Sequence, residues 1–141
     1  MKKFTFINFI GIIFAVSIFV HTEIKVNYYR ILDMFKYSEN EVTVISNLII
    51  SAFYIVAFIL VGVIIKREFI NSKLKYLSSL LWFPYYLILI NIFSLMFPLN
   101  NPALKPLPVV GLIILFLNLV YPAVIFIFAL MFDLIKLFKK S

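Results

Sequence analysis

Four long apolar stretches dominate the pattern of hydrophobic and polar positions along the chain. Each is close to the roughly 20 residues that a helix needs to cross about 30 Å of hydrocarbon. None contains Asp, Glu, Lys or Arg. A bilayer interior offers no water to unpaired backbone groups, and the stretches lack the alternation of barrel strands, so we expect helices. The stretches are 4–20, 42–65, 77–97 and 109–132.

This pattern predicts an all-α integral membrane protein in which residues 1–141 form a single membrane domain. We expect the four spans to pack as an antiparallel bundle with two external loops, 21–41 and 98–108, and one cytoplasmic loop, 66–76. The composition agrees, because 65% of the residues are hydrophobic and the mean hydropathy is +1.11. A water-soluble domain of this length could not bury so much apolar surface. The lipid bilayer is therefore the first expected partner.

The net charge of +7 is distributed in a way that predicts orientation. Basic residues flank the spans and do not gather on a soluble module, so we expect no nucleic-acid partner. Nine Lys and Arg residues flank the spans on one side: Lys2, Lys3, Lys66, Arg67, Lys73, Lys75, Lys136, Lys139 and Lys140. Four flank them on the other: Lys25, Arg30, Lys36 and Lys105. The excess predicts that both termini are cytoplasmic.

The abundance of Ile, Phe, Lys and Asn is typical of an AT-rich bacterial genome, so we expect the plasma membrane of a bacterium. Lys2 and Lys3 before an apolar run also fit a secretory signal peptide, with a possible cleavage site at 15–17. The apolar run continues through Val20, however, before any polar boundary. We therefore expect the first helix to be retained.

The first external loop carries apolar residues at helical spacing: Ile24, Tyr28, Ile31, Leu32 and Phe35. They predict a short amphipathic helix on the outer membrane surface. This helix would either pack against the mouth of the bundle or act as a lid that binds a partner or ligand. The expected helix caps around the loops are Ser38 with Glu41 as a capping box, Asn71 or Ser72, and the prolines Pro106 and Pro108.

Uncharged polar residues inside the third and fourth spans form the candidate functional site. Counted from the cytoplasmic ends of their spans, Asn91 and Asn118 both lie 14 residues deep. The depth match predicts a hydrogen bond between the two amides. Pro84 and Pro122 predict helix kinks, and neighbouring tyrosines would bond the carbonyls that the prolines free. The candidate polar cluster comprises Asn91, Asn118, Tyr85, Tyr86 and Tyr121. It either holds the helices together or forms a small cavity for a neutral solute.

Two signals in and after the first span are weaker. Gly11 and Ala15 are small residues four apart, which indicates close helix packing. His21 follows the span, and with Glu23 it would make a poor metal site, so we interpret it as a solvated boundary residue.

The residues that are missing narrow the function. The chain has no cysteine and one histidine, and no acid lies inside the four stretches. Proton-coupled export, thiol chemistry, bis-histidine haem and hydrolytic catalysis each need groups of these kinds. We therefore expect no cofactor, no metal and no enzyme activity. The first hypothesis is a noncatalytic accessory or interaction protein, such as a transporter partner, a sensor subunit or an immunity-type protein. The alternative is an oligomeric channel or holin-like pore former, or a carrier of a small neutral solute.

Overall fold

The computed structural model of the chain describes residues 2–138; Lys139 and Lys140 of the charge count lie outside the described residues. The described part is helical and contains no strand. Its α-helices are α1 (Lys2–Val26), α2 (Tyr28–Phe35), α3 (Glu39–Ile64), α4 (Ser78–Met96) and α5 (Pro108–Phe138). A π-helical turn, Ile65–Phe69, continues α3, and 3₁₀ segments cover Lys73–Leu77 before α4 and Pro102–Leu104 before α5.

Four helical segments are long and apolar enough to cross a membrane: Lys2–Val26, Glu39–Phe69, Lys73–Met96 and Pro108–Phe138. This confirms the prediction of an all-helical protein with four candidate spans. The helices continue past the apolar stretches, and α1 and α5 each run six residues further, to Val26 and Phe138. Hydropathy marks the part of a helix that suits hydrocarbon. Backbone hydrogen bonding continues into the flanking polar residues.

Side chains at the helix starts agree with the expected caps. The Ser38 hydroxyl accepts from the amide of Glu41, and the Glu41 carboxylate accepts from the amide of Ser38 at 2.8 Å, which completes the capping box. Ser72 caps the 3₁₀ segment before α4 by accepting from the amide of Leu74. Pro108 is the first residue of α5, where a missing amide costs no helical hydrogen bond.

The first loop does contain a short helix, α2, although Ile24 belongs to the end of α1. Two polar contacts fasten α2 to its neighbours. Arg30 donates to the carbonyl of Phe97 at the end of α4, at 3.2 Å. The Tyr28 hydroxyl donates to the carbonyl of Glu39 at the start of α3, at 3.0 Å. These contacts favour packing against the mouth of the bundle over a mobile lid.

Helix α1 lies between the other long helices, and its contacts give their relative order. Residues of α1 and α3 meet in opposite order along the chain: Phe14 with Phe58, and His21 with Tyr54. Residues of α1 and α4 meet in the same order: Gly11 with Leu81, and Phe19 with Phe93. As residue numbers rise along α1, the numbers of their partners fall along α3 and rise along α4.

The core of the bundle is apolar and aromatic. Its buried members are Ile7, Ile10, Phe14, Ala15, Ile18, Val61, Ile65, Phe69, Trp82, Tyr86, Tyr121 and Ile125. Five of the twelve come from α1, which makes this helix the largest contributor. Most of the outward surface of α3, α4 and α5 is formed by exposed large hydrophobic side chains. Such a surface suits contact with lipid or with other apolar helices.

Helices α1 and α4 come close together at Gly11. A Cβ atom added there would lie 3.1 Å from Cβ of Leu81 and 3.2 Å from the Leu81 carbonyl oxygen. Gly11 and Ala15 are both buried, in agreement with their interpretation as packing residues. The missing side chain at Gly11 lets α1 come within backbone contact of α4.

We expect Gly11→Ala to weaken the bundle, because the new methyl group would push α1 away from the backbone of α4. Gly111→Ala is the matched control, since a Cβ there meets nothing within 4 Å. Both changes gain the same helix propensity, so their difference isolates the crowding, at about 1–3 kcal/mol. The measurement is the free energy of unfolding in mixed detergent micelles, followed by circular dichroism. Equal stabilities of the two variants would contradict the close approach.

Candidate intramembrane polar cluster

Three aromatic residues form the centre of the polar cluster. Trp82 and Tyr86 are one helical turn apart on α4 and so share a face. Tyr121 reaches them from α5, with its ring centroid 5.0 Å from that of Trp82. The ring centroids of Tyr86 and Trp82 are 5.7 Å apart. All three are buried, and the Trp82 indole donates to the carbonyl of Ser79 at 2.9 Å.

The hydroxyl groups of this centre bond to α1. Tyr86 Oη lies 3.1 Å from the hydroxyl of Thr22. Tyr121 donates to the carbonyl of Phe14 at 3.1 Å and lies 3.5 Å from Ser17 Oγ. Hydrogen bonds thus join α4 and α5 to the central helix. Ser17 and Thr22 were not expected as partners. Each has a hydroxyl group, Ser17 inside the first apolar stretch and Thr22 just after it, which is the sequence feature that could have indicated a bonding role.

Asn118 belongs to the cluster, but Asn91 does not. Asn118 Nδ2 donates to Tyr86 Oη at 3.4 Å and to the carbonyl of Ile114 at 2.8 Å. Asn91 is exposed, and its Nδ2 donates to the carbonyl of Leu87 in its own helix at 2.7 Å. The expected amide pair is therefore wrong. Two residues at the same depth need not face each other, because successive side chains along a helix point about 100° apart around its axis.

The tyrosines also bond to partners other than those expected. Tyr85 donates to Asn8 Oδ1 of α1 at 2.7 Å, and Tyr86 and Tyr121 bond to α1 as described above. None of these hydroxyls is directed at a carbonyl that a proline would free, so this part of the expectation is wrong. Pro84 and Pro122 do lie inside α4 and α5, which continue on both sides of them. The kinks stay a prediction.

One buried atom of the cluster is unsatisfied. Asn118 Oδ1 has no hydrogen-bond partner among the described residues. An unpaired amide oxygen in an apolar interior is costly, and a small hydroxyl group or a water molecule would satisfy it. This atom is the feature that fits the second interpretation of the cluster, a site for a neutral solute.

His21 is half-buried and is not a free boundary residue. Its Nδ1 lies 3.1 Å from the hydroxyl of Tyr54 on α3, with the two rings in an edge-to-face arrangement. Glu23 accepts from the side chain of Asn27 at 2.9 Å, on the same helical segment. Within residues 2–138, no three His, Asp or Glu side chains lie close enough to hold a metal ion.

An ion pair between the start of α4 and the end of α5, with a buried lysine and a partly exposed carboxylate, was missed altogether. Lys75 Nζ lies 2.5 Å from Asp133 Oδ1, and the side chain of Lys75 is only 2% exposed. The Tyr76 hydroxyl donates to the same carboxylate. Both residues lie just outside the apolar stretches. Lys75 was counted only as a flanking charge, and Asp133 was not considered. The sequence feature that could have indicated the pair is the presence of opposite charges at the same end of two neighbouring spans.

The described cluster offers hydroxyl, amide and indole groups, all of them neutral. These groups donate and accept hydrogen bonds, and most of them do so with a partner on another helix. Since interhelical hydrogen bonds in membranes contribute about 0.6–2 kcal/mol each, the arrangement is suited to holding α1, α4 and α5 together.

Comparison with known protein families, characterised proteins and solved structures finds no match to this chain.

Replacing Asn91 and Asn118 by Leu tests the separation of the two amides. Asn118→Leu removes the bond to Tyr86, worth about 0.6–2 kcal/mol of unfolding free energy in detergent, but it also removes the unpaired Oδ1, so the net cost should lie at the lower end of that range. Asn91→Leu removes only a bond within its own helix and should cost less. We expect the double variant to equal the sum of the single variants within about 0.5 kcal/mol, because the amides do not touch. A coupling larger than that would restore the amide pair.

Removing either partner of the ion pair should have unequal effects. Asp133→Asn leaves the buried ammonium of Lys75 without its counter-charge, at a cost of about 1–3 kcal/mol in unfolding free energy. Lys75→Met leaves a partly exposed carboxylate that Tyr76 still contacts, so it should cost less. The double variant should recover part of the loss from Asp133→Asn. Equal losses in both single variants, measured by denaturation in micelles, would show that Lys75 is hydrated.

Proposed function

We propose that the chain is a noncatalytic multi-pass protein of the bacterial plasma membrane, with four spans and both termini in the cytoplasm. It acts as an accessory or interaction protein, such as a transporter partner, a sensor subunit or an immunity-type protein, through its membrane-embedded surface. The proposal rests on the contrast between the interior and the outer faces of the bundle. Its interior polar groups bond to one another, and its outer faces are broad and apolar.

The order of contacts supports an up-and-down, antiparallel arrangement of consecutive spans. It reverses between α1 and α3, and also between α4 and α5, where Tyr76 meets Phe126 and Trp82 meets Tyr121. Lys75 with Asp133, and Lys136 with Asn71, form contacts at one end of the bundle. That end has the basic excess expected of the cytoplasmic side.

The packing of the interior argues against a solute path through a single chain. Phe14 contacts Phe58 and Tyr121 edge to face, with ring centroids 5.5 Å and 6.1 Å apart. Trp82 closes the same level from α4. Aromatic rings therefore fill the bundle where a conducting pathway would have to pass. A pore would need several copies, as the alternative function assumes.

The outer face of α5 is the largest candidate surface for another membrane protein. Leu112 and Phe116 are each 67% exposed, and Leu119 is 71% exposed. These residues recur every three or four positions and so share one side of the helix. Lipid tails or an apolar partner helix would cover them equally well, so the experiment must separate the two.

A photoreactive amino acid placed at Leu119 on α5, or at Leu48 on α3, tests the interaction role in native membranes. We expect the α5 position to recover one abundant heterologous membrane protein, because α5 carries the largest number of exposed large hydrophobic side chains. Leu48, which is 65% exposed, is the matched control for lipid-facing positions. Recovery of nothing but lipid and further copies of the chain from both positions would contradict an accessory role.

A separate leak assay tests the alternative functions. We expect purified chain in dye-loaded liposomes to release neither ions nor small neutral solutes, because rings close the bundle interior. Release that rises steeply with the ratio of protein to lipid would favour the oligomeric pore and overturn the proposal.

A further inference from the structure

The side chain of Asn91 has unused hydrogen-bonding capacity on the outside of the bundle. One of its N–H groups donates to the carbonyl of Leu87. Its Oδ1 and its second N–H have no partner among residues 2–138. The residue is exposed, and its hydrogen bonds lie within its own helix.

The other three amides of the apolar stretches behave differently. Asn8 accepts from Tyr85, Asn47 accepts from Lys25, and Asn118 donates to Tyr86. Each of these bonds joins two helices. Within the described residues, Asn91 is the one span amide whose bonds stay in its own helix.

At the depth of Asn91 in the span, leaving these hydrogen-bonding groups unpaired is energetically costly. It lies four residues beyond Leu87, the midpoint of 77–97, which corresponds to about 6 Å along the helix. The hydrocarbon extends about 15 Å to either side of the bilayer centre. No water is available there to an unpaired carboxamide. The Asn91 side chain therefore favours a partner that offers both a donor and an acceptor at this depth.

Asn91 belongs to a stripe of exposed residues that we call the α4 stripe. Its members recur at intervals of four, three, four and three residues: Leu80, Pro84, Leu87, Asn91 and Ser94. This is the heptad spacing by which two helices pack along a left-handed seam. Pro84 has no N–H, so the carbonyl of Leu80 loses its regular helical partner on the same stripe.

We propose that the α4 stripe is the interface of a parallel homodimer, in which Asn91 of one copy bonds to Asn91 of the other. Two copies inserted in the same direction place this residue at the same depth. A carboxamide is both donor and acceptor, so the pair satisfies itself across a twofold axis. The inference rests on the membrane-spanning arrangement of the proposed function, and it adds a second copy of the chain on α4 beside any partner on α5.

Cysteine crosslinking tests the geometry directly, because the natural chain contains no cysteine and gives no background. Leu87→Cys and Ser94→Cys should each form disulfide-linked dimers when bacterial membranes holding the full chain are oxidised. Ile92→Cys is the matched control, since it is exposed on α4 at nearly the same depth as Asn91 but about 100° around the helix. Crosslinking at all three positions, or at none, would overturn the interface.

The role of the amide is tested by energy transfer between labelled copies at increasing ratios of protein to lipid. Asn91→Leu should lower the dimer association constant by about 3- to 30-fold, the value of one interhelical hydrogen bond. Asn91→Gln keeps a carboxamide and should retain most of the dimer. Asn47→Leu is the control for loss of an exposed amide elsewhere, and its dimer should be unchanged.

The outcomes separate this inference from the proposed function. If Leu87→Cys crosslinks a different membrane protein and never a second copy, the α4 stripe binds a heterologous helix and the homodimer is wrong. If the inserted chain shows neither leak nor dimer, the homodimer alone fails. If the liposomes leak, the proposed function fails whether or not the chain dimerises through α4.

Discussion

The position of α1 between the other long helices is the constraint on which the rest of the structure depends. Because Gly11 has no side chain, α1 can approach α4 to within backbone contact at Leu81. That approach brings the hydroxyl of Thr22 within 3.1 Å of Tyr86. The bundle is therefore held by steric fit at one level and by polar bonds at another, both made by the same helix.

Polar groups in this bundle divide according to their surroundings. Hydroxyl and amide groups near Trp82 remain neutral and bond across helices, which suits a dry interior. The ion pair of Lys75 with Asp133 lies at the end of the bundle, where the Asp133 side chain is 39% exposed and separating its charge from water costs less. Asn91 is the exception, since it is exposed and its side-chain amide bonds only within its own helix. The proposed homodimer through α4 would satisfy this amide.

Helix α2 lies at the end of the bundle where α1 ends and α3 begins. Arg30 reaches the last carbonyls of α4, and Tyr28 reaches the first turn of α3. The carbonyls that Arg30 contacts, those of Phe97 and Pro98, follow the last turn of α4, where no further helical amide is available to them. The same contacts fix the loop against the helices. The surface left free for partners is thus mainly the apolar flank of α3, α4 and α5.

The sequence by itself determined the helical class, the four candidate spans and the capping box of Ser38 and Glu41, because hydropathy and local hydrogen bonding depend on neighbouring residues alone. It also placed Tyr86, Tyr121 and Asn118 among the residues to examine. Only the tertiary structure decided their partners. Depth along a span can be counted, but the direction of a side chain depends on helix rotation and packing. For that reason the pair of Asn91 with Asn118 was wrong, and the ion pair of Lys75 with Asp133 was missed.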